Sequence, residues 1–261
     1  MAIGSVSSEL LKGRRALVTG GSKGIGAACA EALARAGADV AIVGRDGAGL
    51  AATRAAVMRT GRECAVLEAD LNSIDGARKA GELALKHSPR WDILVNNAGI
   101  ARVAPLLQIE VEDLEAIFAV NLRAALILAQ VLVPQMIERR AGKIVNVSSI
   151  GAFIGTPGLG AYAASKAALN QLTRTMAVEW GPHNIQANAV CPTVVLTDMG
   201  KRIWNDPARI EERETKLARI PLGRFCEPQD VADAVVFLAS PAANFLTGQS
   251  IPLEGGVLAA P

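Results

Sequence analysis

The first apolar run of the chain leads into a glycine-rich turn: Arg14-Arg15-Ala16-Leu17-Val18-Thr19 is followed by Gly20-Gly21-Ser22-Lys23-Gly24-Ile25-Gly26. The apolar run predicts a buried strand, and the small residues of 24–36 predict a helix that ends at Gly37. Glycines allow a tight bend and let backbone N–H groups approach a phosphate at the start of the helix. The turn predicts a dinucleotide site with contacts from Gly20, Ser22, Lys23, Gly24, Ile25 and Gly26. The spacing, Gly-x-x-x-Gly-x-Gly, also fits an ordinary glycine-rich turn.

Further along the chain, short apolar runs alternate with longer segments of helical period. The predicted strands after the first are 39–44, 62–67, 91–95, 142–148, 184–190 and 248–252, and the predicted helices are 47–60, 74–88, 110–140, 161–180 and 228–239. Strands that are apolar along their whole length indicate a parallel sheet covered on both faces. We therefore predict an α/β fold: one doubly wound, Rossmann-type domain over 12–261, with a mostly parallel seven-stranded sheet.

Two segments fall outside this alternation. Residues 1–11 lack the basic and apolar regions of a secretory signal, and we interpret them as a mobile amino-terminal tail. Residues 193–227 follow a predicted strand at the edge where open α/β sheets bind ligands, which makes them a candidate substrate lid.

The composition excludes several classes of protein. Of the 261 residues 51% are hydrophobic, which excludes disorder, and the net charge of +2 comes from scattered basic residues. No apolar run reaches the roughly 18 residues that span a bilayer. Four separated cysteines and two histidines offer no metal-ligand spacing. We expect no metal, no nucleic-acid or membrane partner, and a cytoplasmic location.

The end of the second predicted strand bears on the choice of nicotinamide cofactor. Arg45 follows this strand, and Lys23 lies in the glycine turn; both can contact a 2′-phosphate, which favours NADP(H). Asp46 is the counter-argument, because a shift of one residue would offer a carboxylate to the ribose of NAD. Both cations also fit a solvated surface.

Two further strand ends offer cofactor contacts. Asp70-Leu71 could hold an adenine, although Asp70 could equally cap the next helix. Asn97-Ala98-Gly99, after Asn96, suits a turn that a cofactor approaches, and it equally suits a plain turn.

Tyr162 and Lys166 are the strongest candidates for chemistry. They lie one helical turn apart, so the ammonium group can favour the tyrosinate and lower the pKa of the tyrosine. Tyr162 is also the only tyrosine in the chain. Ser148 and Ser149 end a predicted strand, where one hydroxyl can donate to a carbonyl oxygen. Asn121 is a poor helix former inside the predicted helix 110–140, where its side chain can fix a water or a carbonyl beside Lys166.

Over about 12–257 the sequence resembles the short-chain dehydrogenase/reductase family. The resemblance rests on Thr19-Gly20-(x)3-Gly24-Ile25-Gly26, Asn96-Asn97-Ala98-Gly99, Asn121, Ser149 and Tyr162-(x)3-Lys166, in that order. It implies that Tyr162 protonates the carbonyl oxygen, Ser149 orients it, Lys166 binds the ribose and lowers the tyrosine pKa, and Asn121 supports a water relay. It also implies a homotetramer built through the helices at 110–140 and 161–180.

Within that family, 181–227 is similar to the L-xylulose reductase (dicarbonyl reductase) subgroup, as in Pro192-Thr193-Val194-Val195-Leu196-Thr197 and Arg219-Ile220-Pro221-Leu222-Gly223. Cys191 stands where the subgroup has asparagine. Cofactor contacts from Pro192, Val195 and Thr197 are implied as well.

The expected function is an NADPH-dependent carbonyl reductase, reversible as a secondary-alcohol dehydrogenase, of small polar ketones such as ketoses or α-dicarbonyls. The alternatives are a 3-oxoacyl carrier-protein reductase, a sugar-acid ketoreductase and, remotely, a non-catalytic NADP(H)-binding sensor.

Overall fold

A parallel sheet of seven strands runs through the computed structural model, which describes residues 10–259. The strands are β1 (Arg15–Thr19), β2 (Asp39–Gly44), β3 (Cys64–Glu68), β4 (Ile93–Asn96), β5 (Gly142–Val147), β6 (Ile185–Pro192) and β7 (Ser250–Leu253). Their order is β3-β2-β1-β4-β5-β6-β7, and every neighbouring pair is parallel. The predicted doubly wound α/β fold is confirmed, and the sheet is fully rather than mostly parallel.

Helices cover both faces of the sheet because its strands are apolar on both sides. In the described part of the chain they are α1 (Gly24–Arg35), α2 (Gly47–Met58), α3 (Ile74–His87), α4 (Val111–Phe118), α5 (Ala124–Arg139), α6 (Gly160–Trp180), α7 (Asp198–Trp204), α8 (Ile210–Ala218) and α9 (Pro228–Ala239). One core contains Leu33 of α1 and Val235 of α9. A second core, on the other face, contains Leu128 of α5 and Met176 of α6.

The predicted helix 110–140 is one helical run with a local change of pitch. A π-helical turn, Ala119–Arg123, joins α4 to α5. By length and composition alone this run of 29 residues could cross a membrane, but 50% of its apolar window is buried inside the domain. Leu128, Leu132 and Met136 lie in the core, so the apolar residues of α5 serve packing against the sheet.

The amino-terminal boundary differs from the prediction. Leu11 was assigned to the tail, yet it is buried, belongs to the core, and donates a backbone hydrogen bond to Ala36 (2.7 Å). Leu10 packs against the same core. Because these two leucines bury apolar surface, the folded domain begins before residue 12. The rest of the predicted tail, 1–9, lies outside the described residues.

The segment 193–227 contains two short helices, α7 and α8, that the sequence did not reveal. They enclose a small apolar cluster of their own, in which Trp204, Ile220 and Phe225 are buried. The Trp204 and Phe225 rings lie 5.4 Å apart, and Lys216 Nζ lies 5.5 Å from the Trp204 ring. This segment is therefore a packed unit after β6.

Candidate active site

The candidate residues converge at the carboxyl ends of four neighbouring strands. The glycine turn follows β1, Asn97-Ala98-Gly99 follows β4, Ser149 lies just beyond β5, and Pro192 ends β6. From β1 the strand order proceeds through β2 and β3 to one side of the sheet, and from β4 it proceeds through β5 to β7 to the other side. The carboxyl ends of β1 and β4 therefore mark the topological switch point, where open α/β sheets bind ligands.

The glycine turn forms a cradle that leaves no room for a side chain at Gly20 or Gly26. A Cβ on Gly26 would lie 2.2 Å from the carbonyl oxygen of Gly20, and a Cβ on Gly20 would lie 2.8 Å from Asn97 Nδ2. Gly20 and Gly24 also have positive φ (65° and 57°), which favours glycine. The cradle leads into the amino terminus of α1, whose N–H groups suit a pyrophosphate. These features fit a dinucleotide, as the sequence predicted.

Asn97 and Thr19 hold the cradle against the turn after β4. Asn97 Nδ2 donates to the carbonyl oxygens of Thr19 (2.8 Å) and Gly20 (3.2 Å). The Thr19 hydroxyl accepts from the backbone N–H groups of Asn97 (2.9 Å) and Ala98 (3.0 Å). The glycine turn after β1 and the turn after β4 are therefore joined into one hydrogen-bonded unit.

Charged residues lie at the ends of β2 and β3, beside Lys23 of the glycine turn. The Asp46 carboxylate, which could have bound the ribose of NAD, instead caps α2 and accepts from the Gly49 N–H (3.1 Å). Arg45 and Lys23 are exposed at this edge. Arg45 pairs loosely with Asp70 (3.5 Å), and such an exposed pair is weak enough to open for a ligand.

The alternative role of Asp70 as a helix cap is wrong. Ser73 caps α3 and accepts from the Gly76 N–H (2.9 Å), whereas Asp70 accepts from the Asn72 N–H (3.0 Å). Leu71, the adjacent candidate, is buried in the core beneath this edge.

The structure distinguishes the two serines after β5. Ser148 is buried, and its hydroxyl donates to the Lys166 carbonyl oxygen (3.1 Å), which ties β5 to α6. Ser149 is hydrogen-bonded to the Tyr162 side chain and accepts from the Gly151 N–H (3.1 Å). Ser149 and Tyr162 are therefore placed to contact one carbonyl oxygen together.

Lys166 is buried beside Tyr162. Lys166 Nζ donates to the Val147 carbonyl oxygen (2.8 Å) and lies 5.7 Å from the Tyr162 ring centroid. Burial raises the pKa of Tyr162 above its usual value, and the hydrogen bond with Ser149 opposes that rise. The net shift is upward with burial as its largest cause, and a lowering of this pKa by Lys166 stays a prediction.

Asn121 lies in the π-helical turn, which explains a poor helix former at a buried position. Its amide accepts from the Ile100 N–H (2.8 Å), donates to the Ile100 carbonyl oxygen (3.0 Å), and donates to the Ser165 hydroxyl (3.0 Å). A Cβ on Gly99 would lie 3.3 Å from both Asn121 Oδ1 and Lys166 Nζ. The expected carbonyl contact is present, and Gly99 keeps the asparagine and the lysine close together.

Ser165 was not identified from the sequence. Its hydroxyl donates to the Tyr162 carbonyl oxygen (2.7 Å) while accepting from Asn121, so it links the π-helical turn to the tyrosine. The available signal was its position: a small hydroxyl residue directly before Lys166 and three residues after Tyr162.

The residues after β6 border the same edge. Thr197 caps α7 and accepts from the Gly200 N–H (3.2 Å), and its methyl group would lie 2.9 Å from a Cβ on Gly24. Pro192 is buried at the end of β6, and Val195 forms a parallel bridge with Cys226. These contacts place 192–197 beside the glycine cradle, as expected for cofactor contacts.

Cys191 fills the position of the subgroup asparagine as a buried thiol. Its Sγ donates to Asn170 Oδ1 (3.7 Å), and burial raises the pKa of the thiol despite its hydrogen bonds with Ser148 and Asn170. It is therefore a neutral, packed thiol behind the catalytic residues.

Comparisons with known proteins agree with this geometry. The family model described as enoyl-(acyl carrier protein) reductase matches residues 20–258. The chain is 43% identical over 251 residues to L-xylulose reductase from Bos taurus, covering 95% of this chain and 98% of that protein. It is 38% identical over 260 residues to a 3-oxoacyl-[acyl-carrier-protein] reductase from Thermotoga maritima, covering 95% and 99%.

A solved structure is also similar. It is a gluconate 5-dehydrogenase from Burkholderia cenocepacia in complex with NADP and tartrate, with TM-score 0.90 and 34% identity, covering 99% of this chain and 100% of that one. The predicted family and the predicted resemblance to L-xylulose reductases are confirmed. The chain belongs to the short-chain dehydrogenase/reductase family of oxidoreductases, which act on CH–OH and C=O groups.

Proposed function

We propose that this chain is an NADPH-dependent reductase of small polar ketones such as ketoses or α-dicarbonyls, reversible as a secondary-alcohol dehydrogenase. The observation that carries the proposal is the convergence of Asn121, Ser149, Tyr162 and Lys166 beside the glycine cradle. The exposed cations Arg45 and Lys23 support NADP(H) over NAD(H).

The residues have distinct roles in the proposed reaction. When bound, the nicotinamide supplies the hydride that reduces the carbonyl carbon. Tyr162 donates its phenolic proton to the substrate oxygen, and the Ser149 hydroxyl donates a hydrogen bond to the same oxygen. Lys166 binds the ribose hydroxyls. Asn121, through Ser165 and the backbone at Ile100, fixes the helix that carries Tyr162.

We propose an uncharged substrate over a sugar acid, whose carboxylate would require a cation in the site. Arg102, on the loop after β4, is held in an exposed pair with Asp113 (3.3 Å); such a pair can open for a ligand, so the substrate panel below decides between the two classes. This loop adjoins the segment before α6, because the Ala104 N–H donates to the Gly158 carbonyl oxygen (3.0 Å). We propose that 193–227, the packed unit after β6, closes the other side of the substrate pocket as a lid.

The test combines a substrate panel with one variant. L-xylulose, diacetyl, a 5-keto sugar acid and an acetoacetyl thioester are assayed with NADPH, and the two small uncharged ketones are expected to give the highest kcat/KM. Tyr162→Phe should lose about 10²–10⁴-fold in kcat while it binds NADPH with unchanged affinity. A thioester or sugar-acid preference would reject the substrate class, and an active Tyr162→Phe enzyme would reject the mechanism. NADPH binding without oxidation by any ketone would support the sensor alternative.

We also propose that the chain forms a homotetramer through the helical run 111–139 and α6. Exposed apolar side chains on these helices support this assembly: Val111 is 62% exposed, and Val178 is 77% exposed. Sedimentation velocity should show a four-chain species that Val178→Glu dissociates, and a wild-type monomer would contradict the proposal. The four buried, unpaired cysteines support a reducing compartment such as the cytoplasm.

A further inference from the structure

A polar cleft of about 120 Å³ lies at the amino-terminal edge of the sheet, opposite the edge that carries the catalytic residues. Its polar lining comes from Arg14 before β1, Asp92 before β4, Lys143 of β5, Asn184 and Gln186 at the start of β6, and Asn244 after α9. The proposed reaction uses none of these side chains.

The cleft and the layer behind it carry an excess of positive charge. Asp92 is 3% exposed, and its Oδ1 atom is shared by Arg90 (3.0 Å), Arg139 (3.0 Å) and Arg14 (3.4 Å). With Lys143 there are four cations around this single carboxylate, which leaves a formal charge of +3. The Asp92 carboxylate is already paired with these guanidinium groups, so its charge is neutralised within the cluster.

Lys143 of β5 and Arg14, just before β1, line the same cleft, with β4 between the two strands. Lys143 Nζ donates to Asn244 Oδ1 (2.8 Å), which accounts for one of its three donors. Burial, and to a lesser extent the nearby charge of Arg14, lowers the pKa of Lys143 to about 8. An anion between them would remove that repulsion and accept from both side chains.

The amide residues of the cleft complete a donor set. Asn184 donates through Nδ2 to the Arg140 carbonyl oxygen (2.9 Å) and accepts at Oδ1 from Gln186 (3.2 Å), which fixes both amides at the rim. The cleft volume equals the space of several waters, enough for a tetrahedral oxyanion. Adjacent cations with oriented amides are the chemistry that recognises phosphate.

We propose that this cleft binds a phosphate group, either as the free ion or as the terminal group of a small phosphorylated molecule. Lys143 and Arg14 are its charged ligands, and Asn244 orients the Lys143 ammonium group. The site is separate from the nucleotide cradle, so its occupancy does not depend on the proposed reaction.

The test uses isothermal titration of the full-length protein saturated with NADPH, which blocks the nucleotide site. Inorganic phosphate and glycerol phosphate are titrated in parallel, with chloride at matched ionic strength as the blank. Wild-type protein should bind phosphate, and Lys143→Gln should weaken binding at least about tenfold. Arg14→Gln is the second variant, because its partly exposed side chain can be replaced without disturbing the core.

Lys79→Gln is the matched control, since Lys79 is an exposed lysine on α3 away from the cleft. It should bind phosphate as the wild type does. Tighter binding of glycerol phosphate identifies a phosphorylated molecule as the source, and equal or weaker binding identifies the free ion. The proposal is overturned if neither ligand binds, if both cleft variants bind like the wild type, or if binding is lost only in Arg45→Gln.

Discussion

Replacement of Lys166 by methionine should change how the stability of the protein responds to pH. Lys166 is buried, and burial lowers its pKa from 10.5 to about 8. Between these two values the unfolded chain holds the proton and the folded chain has released it. Because the unfolded state then binds more protons, the free energy of unfolding of the wild type rises with pH across this window and is flat below it.

The size of the effect follows from the two pKa values. At about 1.4 kcal/mol per pKa unit, the separation between 10.5 and about 8 costs the folded wild type roughly 3 kcal/mol below the window. Raising the pH from about 7.5 to about 9.5 should recover roughly 2 kcal/mol of that cost. Lys166→Met has no such titration. It also leaves the Val147 carbonyl oxygen without its donor, a loss of about 1–3 kcal/mol that is the same at both pH values.

Urea unfolding of both proteins without nucleotide measures the effect at each pH. The free energy of unfolding of Lys166→Met minus that of the wild type should fall by roughly 2 kcal/mol from about pH 7.5 to about pH 9.5. Titrating groups that do not contact Lys166, Lys143 among them, are present in both proteins and cancel in this difference. Lys79→Met should show no pH-dependent difference. An equal difference at both pH values for Lys166→Met would refute the reasoning.

Three further predictions test the cradle, the cofactor preference and the π-helical turn. Gly26→Ala would bring a Cβ within 2.2 Å of a backbone carbonyl oxygen, so titration calorimetry should show NADPH binding weakened at least about tenfold. The control is Gly181→Ala, whose added Cβ would meet nothing within 4 Å and which should bind NADPH normally. Equal affinities would contradict a closed cradle. Arg45→Asp should lower the ratio of kcat/KM for NADPH over NADH at least about tenfold, and an unchanged ratio would remove Arg45 from the phosphate site. Asn121→Ala leaves the N–H and C=O groups of Ile100 without their side-chain partner and removes the bond that the Ser165 hydroxyl accepts. Urea unfolding should therefore show a loss of about 1–3 kcal/mol together with a lower kcat. Wild-type stability would show that this network is dispensable.

The sequence predicted the sheet well because its signal is local and redundant. Each strand is apolar on both faces, so its period is legible without tertiary information, and the glycine turn marks the start of the series. The helices α7 and α8 escaped detection because their stability comes from contacts distant in sequence. Trp204 packs on Phe225, and Val257 from the end of the chain packs against the same cluster.

At the candidate site, the sequence identified which residues take part but not what surrounds them. Motif order and the family resemblance identified Ser149 and Tyr162. The bond from Ser148 to the Lys166 carbonyl oxygen supplies the physical reason for choosing Ser149 over Ser148, which the residues alone did not give. A sequence states that Lys166 is one turn from Tyr162, but it does not state which atoms the ammonium group contacts. Depth of burial, which decides both pKa values, depends on the packing of β5, β6 and α6 together.

The direction of the tyrosine shift itself fits the proposed reaction. A proton donor must carry its proton at the working pH, and a phenol whose pKa lies above its usual value near 10 is protonated at neutrality. Lys166 donates to the Val147 carbonyl oxygen and, in the proposed reaction, holds the ribose, while Ser149 supplies the hydrogen bond that favours the phenolate once the proton has left. A protonated phenol can donate its proton to the oxygen of a ketone, so the folded enzyme is in the protonation state that reduction requires. Oxidation of an alcohol requires the phenolate first, so the same burial makes the reverse reaction depend on more alkaline conditions.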